Sequence, residues 1–182
     1  MNSTIESKLK ELEKTRKDFW NVSPELGKLL YIMAKTKQAK NILELGTSNG
    51  YSTIWLALAA QELKTTVTTI EYHQCRVDLA NENFTQCGLT DYIKSFQGKI
   101  IPFLEETKEQ YDFIFIDACK YEYIEYFKIL ENKIPQGSII ISDNITSHKE
   151  SVQDYIDYSS SLNAFKTVFI PMDEGILINY KL

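Results

Sequence analysis

The chain has 182 residues, 43% hydrophobic and 25% charged, which are ordinary proportions for a globular protein with one substantial core. The formal net charge of −5 gives no electrostatic reason to expect a nucleic-acid partner. The charged N-terminus and the lack of an apolar run of roughly 20 residues argue against a secretory signal and a membrane span. We therefore expect a cytoplasmic protein that makes no membrane contact, with reduced thiols at Cys75, Cys87 and Cys119.

Helical and strand patterns alternate along the sequence. In chain order they predict helix 3–17, a helix beginning at 23–25, strand 41–46, helix 51–62, strand 66–71, helix 73–87, strand 93–97, a helical stretch after 101–102, strand 111–117, helix 121–132, strand 138–143, helix 148–160 and strands 165–170 and 175–180. Strands joined by helices should be parallel, whereas a short turn makes the last two an antiparallel hairpin. We therefore predict one α/β domain over 1–182, with a Rossmann-like, doubly wound, seven-stranded sheet that is mostly parallel.

A glycine-containing turn joins the first predicted strand to the next helix. Residues 41–50 read Asn-Ile-Leu-Glu-Leu-Gly-Thr-Ser-Asn-Gly, and such a turn opens the ligand site of doubly wound domains. A dinucleotide site needs a glycine where Ser48 stands, so that the pyrophosphate can approach the backbone. Gly46 and Gly50, with Glu44 just before them, instead suit a ligand without a pyrophosphate, such as S-adenosylmethionine. An ordinary strand–helix turn is the alternative interpretation.

Acidic residues stand at the ends of further strands, where open α/β sheets bind their ligands. Glu71 ends the second predicted strand, and a carboxylate there can accept hydrogen bonds from both ribose hydroxyls of a nucleoside. The alternative for Glu71 is a solvated acid at a strand end. The combination with the glycine turn favours ribose binding.

Asp117 ends the fourth predicted strand, and Asp143 and Asn144 end the fifth. Adjacent strands lie about 4.8 Å apart, so these side chains can converge. Two close carboxylates repel unless a proton or a cation intervenes, and oxygen ligands suit Mg²⁺ or a similar hard cation. Spacing alone leaves two interpretations open: a divalent-metal site, or an aspartate that caps a helix or loop without a metal.

The combined pattern resembles the small, metal-dependent O-methyltransferases of the catechol and caffeoyl-coenzyme A type, from about residue 21 to the C-terminus. Residues 44–52 are similar to the first methyl-donor motif of that family, and residues 97–99 lie where its members contact adenine. The resemblance implies a donor site for S-adenosylmethionine that is covered by the N-terminal helices within 1–35. Its implied contact residues are Val22, Glu44, Gly46, Ser52, Glu71, Gly98 and Asp117.

The same resemblance implies a metal site and a base. Asp117, Asp143 and Asn144 match the ligands of Mg²⁺ or another divalent cation, and Lys120 matches the lysine that acts as general base. From its position alone, Lys120 could instead be a surface lysine at the start of the next helix. The implied acceptor is a hydroxyl of a small molecule, of the catechol or vicinal-diol type. A homodimer is implied only at the level of the family.

Two other functions remain open at this point. One is methylation of a hydroxyuridine in tRNA, which the acidic net charge argues against, so a nucleic-acid partner is not expected. The other is a non-catalytic module that binds S-adenosylmethionine, which the intact Asp117 and Lys120 argue against. Trp20 stands beside the predicted donor segment, and the sequence leaves open whether it lines the pocket.

Overall fold

The computed structural model describes residues 3–182, which form a seven-stranded sheet with helices packed on both faces. The strands are β1 (Ile42–Leu45), β2 (Val67–Glu71), β3 (Ile93–Gln97), β4 (Phe113–Ile116), β5 (Ile139–Ser142), β6 (Phe165–Ile170) and β7 (Ile176–Lys181). The helices are α1 (Ser3–Lys14), α2 (Arg16–Phe19), α3 (Pro24–Lys37), α4 (Tyr51–Leu63), α5 (Gln74–Cys87), α6 (Ile100–Glu106), α7 (Tyr123–Leu130) and α8 (Lys149–Ser161).

The strand order confirms the predicted topology. The order is β3-β2-β1-β4-β5-β7-β6, with parallel pairing from β3 to β5 and antiparallel pairing of β7 with both β5 and β6. From β1 the chain first builds the sheet outward through β2 and β3, and then returns to place β4 on the other side of β1. The boundary between β1 and β4 is therefore the switch point at which such folds bind ligands.

The register of the parallel strands brings four chemically important positions to one edge of the sheet. Leu45 of β1 pairs with Ile70 of β2 and with Ile116 of β4, and Ile116 pairs with the last residue of β5. The residues that follow these pairs therefore leave the sheet side by side. They are Gly46, Glu71, Asp117 and Asp143.

The central strands are buried on both faces, because successive side chains point into two separate layers. Ile42 and Phe113 face the layer that contains α1, α3, α4 and α5, whereas Leu43 and Ile114 face the layer that contains α6, α7 and α8. Both layers are closely filled, so the sheet is a rigid support for the loops at its carboxyl edge.

Most predicted elements are confirmed within a residue or two, and the Ser23 cap of α3 forms as expected, with its hydroxyl accepting from the Leu26 N–H. Two predicted helices are wrong in part. The predicted helix 3–17 divides at Thr15, whose hydroxyl donates to the Leu12 carbonyl and so competes with the helical pattern. The predicted helix 121–132 begins as a 3-10 turn over residues 120–122 and ends at Leu130.

No helix within residues 3–182 combines the length and the apolar character that crossing a lipid bilayer requires.

Candidate active site

A cavity of about 770 Å³ opens at the carboxyl ends of β1, β2 and β4. Its walls come from the glycine turn after β1, the ends of β2 and β4, the segment between α2 and α3, and the start of α7. This is the place at which the topology predicts a ligand site. A cavity of this size accommodates a nucleoside-sized molecule together with a small second substrate.

The turn after β1 depends on two glycines. Gly46 has φ 102° and Gly50 has φ 86°, values that side-chain-bearing residues rarely adopt. A Cβ atom at Gly46 would also collide with the backbone carbonyl of Asp117, and one at Gly50 with the ring of Phe84. The two glycines therefore let β1 pass directly beside β4 and let α4 begin against α5.

Glu71 lies at the cavity wall and is held in place by the backbone. One carboxylate oxygen accepts from the Ser48 N–H at 3.0 Å and the other from the His73 N–H at 2.9 Å. Glu71 as a whole residue is 7% exposed, and it lines the cavity. A carboxylate oxygen has more than one acceptor site, so Glu71 keeps capacity for hydroxyl groups of a ligand.

Glu44 lies behind the cavity wall instead of in it. It is fully buried, and its carboxylate accepts hydrogen bonds from Ser52 at 2.6 Å, from Thr69 at 2.7 Å and from Thr53. Burial raises the pKa of Glu44 to about 7, although these three hydroxyl groups oppose the rise. Glu44 is absent from the cavity lining, so in this arrangement it reaches a ligand only through Ser52, which does line the cavity.

The other predicted donor residues that line the cavity are Val22, Gly46, Ser52, Gly98 and Asp117. The segment that carries Val22 is tied to the glycine turn, because the Ser48 hydroxyl donates to the Phe19 carbonyl at 2.9 Å. The Arg16 side chain also donates to the Asn21 carbonyl at 3.0 Å. The segment from α2 to Val22 and the turn between β1 and α4 therefore form one continuous wall.

Asp117 and Lys120 form an ion pair at the opposite side of the cavity. The Lys120 Nζ lies 2.6 Å from the Asp117 Oδ1, and the two side chains are 14% and 17% exposed. The 3-10 turn over residues 120–122 sets this spacing by holding Lys120 one turn beyond the end of β4. Lys120 is therefore a residue of the cavity, as its lining position shows, and not a solvated surface lysine.

Asp143 and Asn144 follow β5 beside this ion pair. Asn144 lines the cavity and has a left-handed backbone, with φ 62°, whereas Asp143 is buried directly behind it at 4% exposure. Burial and then the negative charge of Asp117 raise the pKa of Asp143 to about 7. The two carboxylates are thus close enough to interact, which is the convergence expected from adjacent parallel strands.

The sequence decides which family this arrangement represents. The profile of the family described as O-methyltransferase matches residues 2–180, which is nearly the whole chain. The chain belongs to this O-methyltransferase family.

Curated relatives of this chain include enzymes named for two different acceptors. It is 41% identical to the catechol O-methyltransferase of Niastella koreensis over 69% of this chain and 58% of the relative. It is 33% identical to caffeoyl-CoA O-methyltransferase 1 of Arabidopsis thaliana over 93% of this chain and 76% of the relative. The chain thus spans somewhat more than half the length of the catechol relatives that it matches.

Solved structures agree with the fold. The O-methyltransferase of Bacillus cereus, in complex with SAH, is 25% identical and superposes with a TM-score of 0.86 over 100% of this chain and 92% of that one. The O-methyltransferase TomG of Streptomyces achromogenes, in complex with SAM, is 22% identical with a TM-score of 0.85 over 100% and 90%. At that lower identity the second likeness concerns the fold alone.

The lining residues that were not among the predicted contacts include Ser48, Arg76 and Tyr121. Ser48 binds Glu71 through its backbone, Arg76 lies in the first turn of α5, and Tyr121 is 79% exposed at the cavity wall. Trp20 also lines the cavity, which answers the question that the sequence left open. The position of Tyr121 next to Lys120 was available from the sequence, whereas its exposure is known only from the structure.

Proposed function

We propose that this O-methyltransferase moves a methyl group from S-adenosylmethionine to a hydroxyl oxygen of a small molecule, assisted by a divalent cation. The observation that carries the proposal is the pairing of two different sets of residues in one cavity. The donor end is formed by Val22, Gly46, Ser48, Ser52 and Glu71. The metal end is formed by Asp117, Lys120 and Asn144, with Asp143 buried behind the cavity wall.

At the donor end, Glu71 is the proposed acceptor for the ribose hydroxyls, because both of its oxygens are already aimed by backbone N–H groups. Ser52 is the proposed contact for the carboxylate of the methionine part through its backbone N–H in the first turn of α4, because its hydroxyl donates to Glu44, which fixes the rotamer from behind. Glu44 thus acts as a positioning residue. The absence of a side chain at Gly46 leaves the backbone open to the ligand.

The residues at the metal end fit a hard divalent cation. Within residues 3–182 no group of three or more His, Cys, Asp or Glu side chains is arranged to hold a metal. The proposed ligands are a different set, which consists of two carboxylates and one amide. Burial and then the negative charge of Asp117 disfavour the charged form of Asp143 and so raise its pKa, and a bound cation would relieve both effects. Asp117, Asp143 and Asn144 would hold Mg²⁺, which supplies charge stabilisation to an ionising hydroxyl.

The reaction follows from these positions. The acceptor oxygen attacks the methyl carbon in line, the carbon–sulfur bond breaks and its electron pair stays on sulfur. Lys120 takes the hydroxyl proton once its ammonium, which pairs with Asp117 in this structure, has given up its own proton, a loss that a cation held beside it would favour. The products are a methyl ether and S-adenosylhomocysteine. The cavity contributes by holding the two reactants in line and close together.

The acceptor class that we propose is a catechol or vicinal diol. Two neighbouring oxygens can bind one cation together. The relatives are named for catechol and caffeoyl-CoA, both of which have two neighbouring hydroxyl groups on an aromatic ring. We further propose one domain over 1–182, of which the first two residues lie outside the described part, with the helices within 1–35 covering the donor end. A cytoplasmic location and a homodimer stay predictions.

A methyl-transfer assay tests the proposal. The protein is incubated with S-adenosylmethionine and a catechol, with Mg²⁺ or with a chelator, and the methylated product is measured by mass spectrometry. We expect product with Mg²⁺ or Mn²⁺, none with the chelator, and recovery when metal is added back. Product formation that is unchanged by the chelator would contradict the metal part, and no transfer to any hydroxylated acceptor would contradict the function.

A further inference from the structure

A contact between an arginine and an aromatic ring joins two walls of the cavity. The Cζ of Arg76 lies 5.0 Å from the centroid of the Trp20 ring, and both residues line the cavity. Trp20 directly follows α2 and lies two residues before Val22, whereas Arg76 lies in the first turn of α5, five residues after Glu71. The contact therefore connects the two sides of the proposed donor end.

The backbone at Trp20 has an unusual conformation for a large residue. Its φ is 54°, in the left-handed region, and its N–H donates to the Arg16 carbonyl to close α2. The neighbouring Phe19 carbonyl is fixed by the Ser48 hydroxyl at 2.9 Å. A bulky side chain held in such a strained position points to a functional constraint, and ligand clamps are among the sites where strain of this kind concentrates.

The ring itself is left largely in solvent. Trp20 is 72% exposed, although a tryptophan is among the side chains that gain most from burial. Its observed partner is the guanidinium of Arg76, and such a contact at an exposed site is weak. A weak contact can open to admit a ligand and close again afterwards.

We propose that Trp20 and Arg76 form a clasp across the donor end that slows the release of the methyl donor and of its demethylated product. This inference rests on the proposed donor site, because the clasp spans that end of the cavity. The two residues are positioning residues, and no covalent step passes through them. Their effect therefore belongs to the dissociation rate of the nucleoside and not to the methyl transfer itself.

Stopped-flow measurement of S-adenosylhomocysteine dissociation tests the clasp. We expect Arg76→Gln and Trp20→Leu each to raise the dissociation rate roughly fivefold, the size that a single exposed contact of this kind supports. The double variant should release the ligand no faster than either single variant, because both remove the same contact. Arg76→Lys keeps the cation and should stay close to the wild-type rate.

A matched control is present elsewhere in the chain. The Lys128 Nζ lies 4.9 Å from the centroid of the Tyr158 ring, and neither residue lines the cavity. Lys128→Gln removes the same type of contact and should leave the dissociation rate unchanged. Additive effects of Arg76→Gln and Trp20→Leu, or no effect of either, would overturn the clasp while the proposed function stands. A wild-type protein that binds no S-adenosylhomocysteine would overturn both.

A glycine variant separates the clasp from a structural role. Glycine adopts the left-handed backbone at position 20 more readily than tryptophan does, so we expect the free energy of unfolding of the Trp20→Gly variant not to fall. The same variant should release S-adenosylhomocysteine as fast as Trp20→Leu. A destabilised Trp20→Gly variant with wild-type dissociation would mean that Trp20 serves the fold alone, and would overturn the proposal.

Discussion

The two ends of the cavity obtain their polarity from different kinds of group, the backbone at one end and charged side chains at the other. At the donor end, the acid Glu71 is satisfied by two backbone N–H groups, and the turn itself is shaped by glycine. At the metal end, the polarity comes from side-chain charges. Asp117 forms an ion pair with Lys120, and the pKa of the neighbouring Asp143 is raised by burial and by the charge of Asp117. The backbone of the fold therefore orients the donor end by itself, whereas the metal end has two carboxylates for one lysine, an excess of negative charge that suits a cation.

This difference predicts that changes at the metal end affect turnover and spare donor binding. The largest effect is expected for Lys120→Ala, which should lower turnover by about 10²–10⁴-fold, the usual range for a positioned proton acceptor. Steady-state kinetics across acceptors of graded hydroxyl acidity measures it, and the loss should shrink for the more acidic acceptors. The exposed Lys128 provides the control as Lys128→Ala. A loss that is independent of acceptor acidity would assign Lys120 to positioning instead of proton transfer.

A smaller but related loss is expected for Asp143→Asn. This change removes one negative charge from the metal end and keeps the size of the side chain, so turnover should fall by roughly 10²–10³-fold. Turnover measured against Mg²⁺ concentration should recover in part at high metal. Asp157→Asn, at an exposed position of α8, is the control. Wild-type turnover with unchanged metal dependence in Asp143→Asn would remove Asp143 from the metal end.

The acid behind the donor end makes a prediction about stability. Folding raises the pKa of Glu44 from 4.5 to about 7, so the folded state holds this proton more tightly than the unfolded state does. Wild-type stability should therefore decline, relative to Glu44→Gln, as the pH rises from about 4.5 to about 7, by up to about 3 kcal/mol, and the difference should then level off. Denaturant unfolding of both proteins at several pH values measures this difference.

Glu82→Gln, at an exposed position of α5, controls for the loss of a charge in the Glu44 experiment. Its stability relative to the wild type should not follow the same pH course. A difference between Glu44→Gln and the wild type that stays constant from pH 4.5 to pH 8 would show that Glu44 titrates normally in the folded protein.

Much of this site could be predicted from the sequence because parallel strands align their carboxyl ends. The positions of Gly46, Glu71, Asp117 and Asp143 at one edge follow from strand order and register alone. The alternation of side chains also explains Glu44, since it shares the face of Ile42 and so points toward α4 instead of the cavity.

Other features depend on contacts between distant segments and left no local signal. The left-handed Trp20 reflects the anchoring of the end of α2 on the glycine turn, through the hydrogen bond between Ser48 and Phe19. Helical propensity across residues 3–17 gives no indication of this bond. The contact of Trp20 with Arg76 likewise requires α5 to be in place.

The central claim is that the fold prepares the donor end without help from the metal end. Calorimetric titration of S-adenosylmethionine into the wild type and into Glu71→Ala, with a chelator present throughout, tests it most directly. We predict one site per chain in the metal-free wild type, and a roughly 10–100-fold weaker affinity in Glu71→Ala, because hydrogen bonds to a charged acceptor are lost. Equal affinity of the two proteins, or no binding until Mg²⁺ is added, would contradict the claim.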